Sequence, residues 1–476
     1  MHRVNIPPEA RLNPNFNFKV LPLIFQEAPE KRIYQACETL VQENLEFYDQ
    51  IDLFSVIDRL NHIEMEIRKS VINRRDIAQQ SIRALMTSEH QFIFSAPGVA
   101  KSLFTNQLFS YFKGSGVFSI QLCPDTSPDD LFGGYDIERF KKGEVFHNIE
   151  GSIITNHFAF LDEFMDGNDK LLRSLLGVLL ERKFISGNQV EKAILHTAIA
   201  TANYMRQTPT TEALLDRFLY KSFINPVKDM FILLKIDQVY NENEGRVLAP
   251  NPEAMIDVRE ITYIKRLIKK EFPDQDIVIP PEVDYLKNLV AVAFEEEMKK
   301  YRDNYYLSPR TITKSNDLLK ANALLNGRRN VIEEDVESLF YLFCTLNEPL
   351  NEDKTLLSQQ VFQKTVEKKK QYFDFIKDDI TPMIYIVEFL HKAEVNTELL
   401  KTPLDFIEKS TERSIFIDLF DKLKHAFTSE EDLTPVANKK QMISFVEKIN
   451  SNYSEVNVFR NKTIDYIKEV FSRIEV

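Results

Sequence analysis

The stretch FIFSAPGVAKSLF, Phe92–Phe104, decides the fold of this 476-residue chain. It begins as an apolar strand, passes through a turn of small residues and continues from Lys101 into an amphipathic helix. In such a loop, backbone N–H groups and a helix N-terminus face the β- and γ-phosphates of a nucleotide. Lys101 supplies a cation, and the Ser102 hydroxyl is placed to ligate Mg²⁺. The stretch therefore predicts a phosphate-binding loop.

The loop departs from the pattern G-x-x-x-x-G-K-[ST] at two positions, because Ser95 and Ala100 stand where glycines are usual. Only a positive φ strictly favours glycine. Ala100 can therefore be tolerated if its φ is already helical. The residues predicted to contact the nucleotide in this loop are Pro97, Gly98, Val99, Ala100, Lys101, Ser102 and Leu103.

Length and composition predict a globular protein of two to four domains. Hydrophobic residues make up 43% of the chain, and the formal net charge of −12 argues against a general nucleic-acid footprint. The three cysteines are far apart, so neither a disulfide framework nor a zinc site is indicated. No run approaches the roughly 18 apolar residues of a membrane span. These features predict a cytoplasmic protein without a membrane span.

Strand and helix patterns alternate after residue 90, which predicts a parallel sheet covered by helices, with ligand at the carboxyl ends of the strands. The predicted strands are Gln91–Phe94, Val117–Leu122, His157–Leu161, His196–Thr201 and Phe218–Phe223, and the predicted helices between them are Lys101–Phe112 and Asp169–Glu181. Glycines at 133, 134, 143 and 151 punctuate residues 127–154, which indicates loops or hairpins inserted into this core.

These sequence patterns divide the chain into five segments. We predict an N-terminal extension at 1–50, an α/β nucleotide-binding core at 51–227, a proline-interrupted linker at 228–283, a helical lid at 284–348 and a mostly helical docking region at 349–476. A helical pattern in IFIDLFDKLKHAF, residues 415–427, is typical of the last segment.

Two acids follow the third predicted strand, in FAFLDEF. This position places Asp162 and Glu163 at the carboxyl edge of the sheet, beside the phosphate loop. Asp162 is predicted to hold Mg²⁺, which prefers oxygen ligands and keeps several waters. Glu163 is predicted to act as general base on the attacking water. The alternative is a strand-end turn with two solvated acids; the phosphate loop upstream favours the functional interpretation.

Three further polar residues suit the same chemistry. Asn203 follows the next strand and can orient a hydrolytic water, although an asparagine that caps a turn is a common alternative. Arg217 can reach the γ-phosphate of a neighbouring subunit as an arginine finger, or pair with Asp216 or Glu212. Arg310, in the first turn of a lid helix, can contact the same nucleotide from the lid; spacing alone leaves this assignment even.

The ordered motifs APGVAKS, SPDDLFGGY, FAFLDEF, LLERKF, ATANY, EALLDRF, SPR and NVIEEDV resemble the MoxR branch of the AAA+ ATPases, and within it the RavA (regulatory ATPase variant) subfamily. The resemblance covers roughly Asp52–Glu348. Members of this branch commonly have a GPPGxAKS loop, so Ala100 matches the branch, whereas Ser95-Ala96 replaces its Gly-Pro pair.

The resemblance implies an AAA+ sheet of strand order 5-1-4-3-2, a displaced helical lid and a hexameric ring with ATP and Mg²⁺ at the subunit interfaces. Lys101 and Ser102 then belong to the phosphate loop, Asp162 and Glu163 to Walker B, Asn203 is sensor 1, Arg217 the finger and Arg310 sensor 2. Residues 127–154 correspond to the inserted hairpins that face substrate or partner. A partner with a von Willebrand factor A domain and a protein substrate are also implied.

Three functions remain open from the sequence. The leading hypothesis is an ATPase that remodels other proteins as a chaperone. The second is a nucleotide-gated scaffold or signalling module with little turnover, acting in stress response or antiviral defence. The third, a DNA-associated AAA+ machine, is disfavoured by the acidic balance of the chain.

Overall fold

The structure, a computed structural model, describes residues 47–141, 143, 145–187, 189–204, 206, 211, 214–226, 229–244, 246–272, 276–302, 305–347, 357–396, 400 and 435–473. The described residues form two compact units. The first contains those up to Ile279 together with Met298–Gln363, and the second contains Pro280–Glu297 and those from Lys364 onward. The helix predicted at 415–427 lies outside the described residues, as does most of the predicted N-terminal extension.

Strands in the first unit form a central sheet and two small two-stranded sheets. In chain order the strands are β1 (Gln91–Ser95), β2 (Phe112–Lys113), β3 (Val117–Gln121), β4 (Phe158–Asp162), β5 (Lys183–Ser186), β6 (Gln189–Lys192), β7 (Thr197–Ala202), β8 (Tyr220–Ile224), β9 (Ile256–Asp257) and β10 (Thr345–Leu346). The central sheet has the order β10-β8-β1-β7-β4-β3, and all of its pairings are parallel.

Helices precede, separate and follow these strands. In chain order they are α1 (Leu53–Ser70), α2 (Arg75–Thr87), α3 (Lys101–Phe109), α4 (Pro128–Phe132), α5 (Ile137–Lys141), α6 (Asp169–Leu176), α7 (Met230–Asn243), α8 (Val258–Ile268), α9 (Pro281–Lys299), α10 (Pro309–Leu325), α11 (Phe340–Phe343), α12 (Leu357–Val395), α13 (Pro435–Lys448) and α14 (Ser454–Ser472). No helix among the described residues is both long and apolar enough to span a bilayer.

The predicted fold class is confirmed. Strands β8, β1, β7, β4 and β3 stand in the order 5-1-4-3-2 of the AAA+ core, and β10 adds an edge strand that pairs with β8. Apolar strands make this sheet, since every residue of β7 is buried and four of five are buried in β4. Phenylalanines fill the space against one face, where the rings of Phe92, Phe164 and Phe218 pack within 6.3 Å of one another.

Several predicted boundaries differ from the structure. The helix predicted over Lys101–Phe112 ends at Phe109, because Phe112–Lys113 pairs with Ile256–Asp257 as β2 and β9. The helix predicted over Asp169–Glu181 changes at Gly177 into a π-helical turn. Residues 127–154 contain two short helices, and a hairpin that the sequence interpretation missed lies at β5 and β6.

The region predicted as lid is divided between the two units. Its first helix is α9, and the part of α9 up to Glu297 belongs to the second unit. Helix α10 belongs to the first unit. Ser308 caps α10 by accepting a hydrogen bond from the backbone N–H of Thr311, and α10 packs on α1 and α2. The predicted domain boundaries therefore stay a prediction.

The second unit is helical in its described residues. Phe373 and Phe471 are buried in it, and the ring of Tyr285 on α9 contacts those of Phe373 and Phe459. Helix α12 has 39 residues and contains Pro382. This composition agrees with the predicted helical C-terminal region.

Candidate nucleotide-binding site

Three neighbouring strands of the central sheet end at the same edge and bring the predicted site residues together. Strand β7 lies between β1 and β4, with Phe94 paired to Ala202 and Leu161 paired to Ala200. The carboxyl end of β1 leads into the phosphate loop, β4 ends at Asp162, and Asn203 follows β7. Parallel strands place such ends side by side, which is where ligands bind in open α/β sheets.

Asn203 lies between the cation and the acid of the predicted site. The Lys101 ammonium donates a hydrogen bond to Asn203 Oδ1 at 2.5 Å, and Asn203 Nδ2 donates to Glu163 Oε1. One amide therefore links Lys101 to Glu163. The sequence predicts that Lys101 contacts the nucleotide and that Glu163 contacts the hydrolytic water. In this structure both side chains are bonded to the neutral amide of Asn203.

Asp162 lies beside the hydroxyl of Ser102. Ser102 Oγ is 3.4 Å from Asp162 Oδ2, and the backbone N–H of Glu163 donates to Asp162 Oδ1 at 3.1 Å. Thr201 also donates from Oγ1 to Asp162 Oδ1. The sequence interpretation missed Thr201, although its position two residues before Asn203 places both side chains on one face of the strand path.

The backbone of the loop is shaped by two left-handed residues. Gly98 has φ 78°, and Ala100 has φ 64° and ψ 34°. The condition of a right-handed helical φ at Ala100 is therefore not met, and an alanine occupies a conformation that costs an L-residue roughly 1–2 kcal/mol. The alanine side chain offers no cap to α3, so the first N–H groups of this helix face the loop. A phosphate fits this arrangement.

The set of side chains also fits Mg²⁺. A hydroxyl and a carboxylate, Ser102 and Asp162, are hard oxygen donors of the kind that this cation takes together with several waters. Within the described ranges there is no cluster of three or more His, Cys, Asp or Glu residues able to hold a metal. A site with one protein carboxylate agrees with that finding.

Burial shifts the pKa values of the acid and the cation in opposite directions. Desolvation raises the pKa of Glu163, and the charges of Asp162 and Asp166 raise it further, against the opposing effects of Lys101 and the Asn203 hydrogen bond. Desolvation also lowers the pKa of Lys101. A carboxylate whose pKa is raised is a stronger base toward water than a fully solvated glutamate.

A further set of contacts joins the segment after β7 to the segment after β4. Tyr204 donates from its hydroxyl to Asp166. Arg206 donates to the carbonyl of Gly167 at 3.1 Å and to Asp169 at 2.7 Å. Together with the bond between Asn203 and Glu163, these contacts hold the two segments in register. They were not predicted from the sequence.

Arg217 lies at the opposite edge of the sheet from the phosphate loop. It precedes β8, and β8 runs parallel to β1, with Tyr220 paired to Gln91. A strand of this length separates the two edges by about 15 Å. Arg217 donates to Asp216 at 2.9 Å, so one of the ion pairs weighed as an alternative is present; Glu212 lies outside the described residues.

Arg310 also lies near the amino edge. Its positive charge contributes to lowering the pKa of Arg182 and of His90, and His90 immediately precedes β1. Arg182 itself donates to the carbonyls of Ser88 and His196 at 2.7 and 3.0 Å. The structure therefore unites Lys101, Ser102, Asp162, Glu163 and Asn203, and separates Arg217 and Arg310 from them.

The fold and these contacts describe a parallel α/β module in which a lysine-bearing loop lies beside two acids and an amide at neighbouring strand ends. Comparison with protein families identifies the module more closely. Residues 58–260 match the MoxR domain of the MoxR-vWA-beta-propeller ternary systems, and residues 287–355 match an AAA lid domain. These two segments are therefore similar to the two parts of a MoxR-type AAA+ module.

Known proteins agree with this assignment. An uncharacterized protein of Methanocaldococcus jannaschii is 25% identical over 323 residues, which are 67% of this chain and 78% of that protein. The chaperone MoxR1 of Mycobacterium tuberculosis is 23% identical over 297 residues, covering 60% of this chain and 74% of the relative. A crystal structure of a candidate ATPase from Cytophaga hutchinsonii covers 69% of this chain and 97% of its own, with 21% identity and a TM-score of 0.51. At that identity it supports the fold alone.

Proposed function

We propose that this protein hydrolyses Mg-ATP and uses the energy to remodel other proteins. The arrangement that supports the proposal is the juxtaposition of Lys101, Asn203 and Glu163 at the carboxyl edge of a parallel sheet. Phosphoryl transfer requires positioning and charge stabilisation more than covalent chemistry, and this set of groups supplies both.

In this proposal each residue has a separate role. Lys101 and the N–H groups at the start of α3 bind the β- and γ-phosphates, while Asn203 orients the attacking water. Glu163 accepts the proton of that water as it attacks the γ-phosphorus, and ADP leaves with the electron pair of the broken bond. When bound at Ser102 and Asp162, Mg²⁺ supplies positive charge that neutralises the phosphate oxygens.

The arginines are proposed to act between subunits. Arg217 and Arg310 lie at the amino edge of the sheet, whereas the phosphate loop of the same chain is at the carboxyl edge. A neighbouring copy that presents its amino edge to this carboxyl edge would bring its arginines to the γ-phosphate. Head-to-tail contact of this kind closes into a ring, and a hexamer is the ring that the family resemblance implies.

Partner and subfamily belong to the same proposal. The matching family model describes a MoxR domain in systems that contain a vWA protein, and the relative from Mycobacterium tuberculosis is named a chaperone. We therefore propose a partner with a von Willebrand factor A domain and a protein as substrate. The RavA subfamily and the cytoplasmic location stay predictions.

Two variants test the ATPase. Lys101→Ala should abolish ATP binding, because the loop loses its cation, and Glu163→Gln should bind ATP yet hydrolyse it at least 100-fold more slowly. Steady-state phosphate release and binding of a fluorescent ATP analogue give the two readouts. Full activity in both variants would refute the proposal.

One observation favours the alternative of a low-turnover scaffold. Asn203 engages both Lys101 and Glu163, so the groups needed for hydrolysis are paired with each other in this arrangement. A scaffold would assemble on ATP with almost no phosphate release, with or without partners. A remodelling ATPase would show turnover that rises when its partner or substrate is added.

A further inference from the structure

Helix α7, Met230–Asn243, exposes an unusual amount of apolar surface. None of its residues is buried, and Met230, Phe231, Leu234 and Tyr240 are 62–71% exposed. These four side chains present on the order of 500 Å² of largely apolar surface, since a large aromatic side chain has roughly 200 Å². A helix that is apolar around most of its circumference is normally covered by protein, and a patch of this size marks an interaction site.

The two ends of α7 locate it on the phosphate-loop side of the first unit. Before α7, Ile224 at the end of β8 pairs with Ser95, the last residue of β1, so the chain leaves the sheet beside the loop. After α7, the backbone N–H and carbonyl of Leu248 bond to the side chain of Gln107 on α3, the helix that begins at the loop. Helix α7 also lies close to α1.

Charge on α7 makes a lipid surface a poor occupant. Its described charged residues are Lys235, Asp237 and Glu242, which give a slightly acidic helix. Helices that lie in a membrane interface combine their apolar face with a polar face rich in lysine and arginine. The composition of α7 is therefore suited to protein rather than to anionic lipid.

A second copy of this chain is the occupant that the position of α7 favours. In the proposed function the nucleotide site is incomplete within one chain, because Arg217 and Arg310 lie at the far edge of the sheet. Arg310 is one turn before Lys314, which pairs with Glu89 just ahead of β1. A copy that supplies these arginines must approach the phosphate-loop side, where α7 lies. Typical stable interfaces bury about 800 Å² on each partner, so α7 alone would provide more than half.

We propose that α7 is a subunit contact of the ATP-bound assembly, covered by the amino edge of the neighbouring copy. The proposal rests on the proposed function, since it uses the same neighbour that completes the nucleotide site. That edge has apolar surface of its own: Tyr306, four residues before Arg310, is 67% exposed.

Assembly of a hydrolysis-deficient protein tests this contact. Sedimentation velocity of Glu163→Gln with ATP should show an oligomer, and adding Leu234→Asp should weaken assembly at least 10-fold in protein concentration. Asn241→Asp is the matched control, because it adds the same charge at an exposed polar position of the same helix. It should assemble like its parent, and all three proteins should bind a fluorescent ATP analogue equally. Equal assembly of the Leu234→Asp protein would overturn the proposal.

A cross-linking arm separates failure of this contact from failure of the ATPase. A photoreactive amino acid in place of Phe231 in the full-length chain should give cross-linked dimers, with the attachment mapped to residues 305–310 or 214–219 of the second copy. If the protein forms these cross-links in the presence of ATP but releases no phosphate, the contact stands and the proposed hydrolysis fails. Cross-links confined to one protomer, or co-sedimentation with phosphatidylserine vesicles instead of dimers, would refute α7 as a subunit contact.

Discussion

Replacing Asn203 by alanine should separate ATP binding from ATP turnover. In the structure the Asn203 amide accepts a hydrogen bond from Lys101 and donates one to Glu163. ATP has to take Lys101 away from Asn203, because the phosphates need the same ammonium. A hydrogen bond to a charged group contributes about 1.5–3 kcal/mol. When ATP breaks the bond between Lys101 and Asn203, new bonds to phosphate and water compensate for most of this loss in the wild-type protein, and the variant has no such bond to lose. A net gain of about 1 kcal/mol remains, which corresponds to roughly five-fold tighter ATP binding in the variant.

Turnover should change in the opposite direction. Without the amide, the attacking water loses a partner that orients it, and we expect the single-turnover rate to fall about 100-fold. The pH dependence should move as well. Glu163 acts as a base only when ionised, so the rate falls as the pH drops through its pKa. The Asn203 bond lowers that pKa, and its removal should therefore shift the acidic limb to higher pH.

Titration with a fluorescent ATP analogue and rapid-quench single turnovers measure the two effects. Asn203→Asp is the matched variant, since it still accepts from Lys101 but cannot donate to Glu163, and it should lose both affinity and rate. If Asn203→Ala weakens ATP binding in proportion to its loss in rate, the amide contacts the bound nucleotide. It then does not compete with ATP for Lys101. Unchanged affinity would likewise refute the competition.

Two further predictions concern the loop and the buried histidines. Ala100→Gly should raise the free energy of unfolding by about 1 kcal/mol, because it relieves a left-handed alanine, whereas Gly98→Ala should lower it by a similar amount. Denaturant unfolding measures both changes, and equal stabilities of the variants and the parent would contradict the strain. Burial keeps the pKa of both His90 and His196 well below 6.5, so the unfolded state binds more protons below that pH and stability falls as the pH drops. The free energy of unfolding should fall by about 3 kcal/mol between pH 7.5 and 5.5, as measured by denaturant unfolding. His90→Gln should remove half of this fall. If the free energy of unfolding of the variant depends on pH as strongly as that of the wild type, buried His90 is not a cause of the fall.

Local sequence patterns predicted the central sheet and the residues around the phosphate loop. Buried strands such as FAFLD and TAIATA are largely apolar. Asp162 ends the first and Asn203 directly follows the second, and a parallel sheet brings both to one edge. The hairpin β5–β6 was missed although Gly187-Asn188 separates two short strand patterns, a combination typical of a tight hairpin.

Other features depend on contacts that no local pattern contains. Strand β10 has only two residues, and its pairing with β8 joins segments more than a hundred residues apart. Strand β2 was included in a predicted helix because its partner, β9, is equally distant. The left-handed φ of Ala100 follows from the path between β1 and α3, and alanine gives no signal of it. The position of Arg310 depends on how α10 packs on the core, so its spacing in the sequence left its role open.

The packing of α10 connects this arginine to the body of the protein. Lys314, one turn after Arg310, pairs with Glu89 at 2.5 Å, and Lys269, the residue after α8, pairs with both Glu89 and Asp317 on α10. Glu89 and His90 lead directly into β1, whose other end forms the phosphate loop. If the γ-phosphate bound by a neighbouring copy attracts Arg310, the resulting pull on α10 acts on the ion pairs between α10 and Glu89. Glu89 leads into β1, and β1 ends at this chain's own phosphate loop. The carboxylates of Glu89 and Asp317 are nearly buried, so leaving either of them without its lysine is costly. If α10 senses one nucleotide as proposed, these ion pairs join it to the strand that leads into the site of the next, and such a link would couple neighbouring sites in the proposed ring.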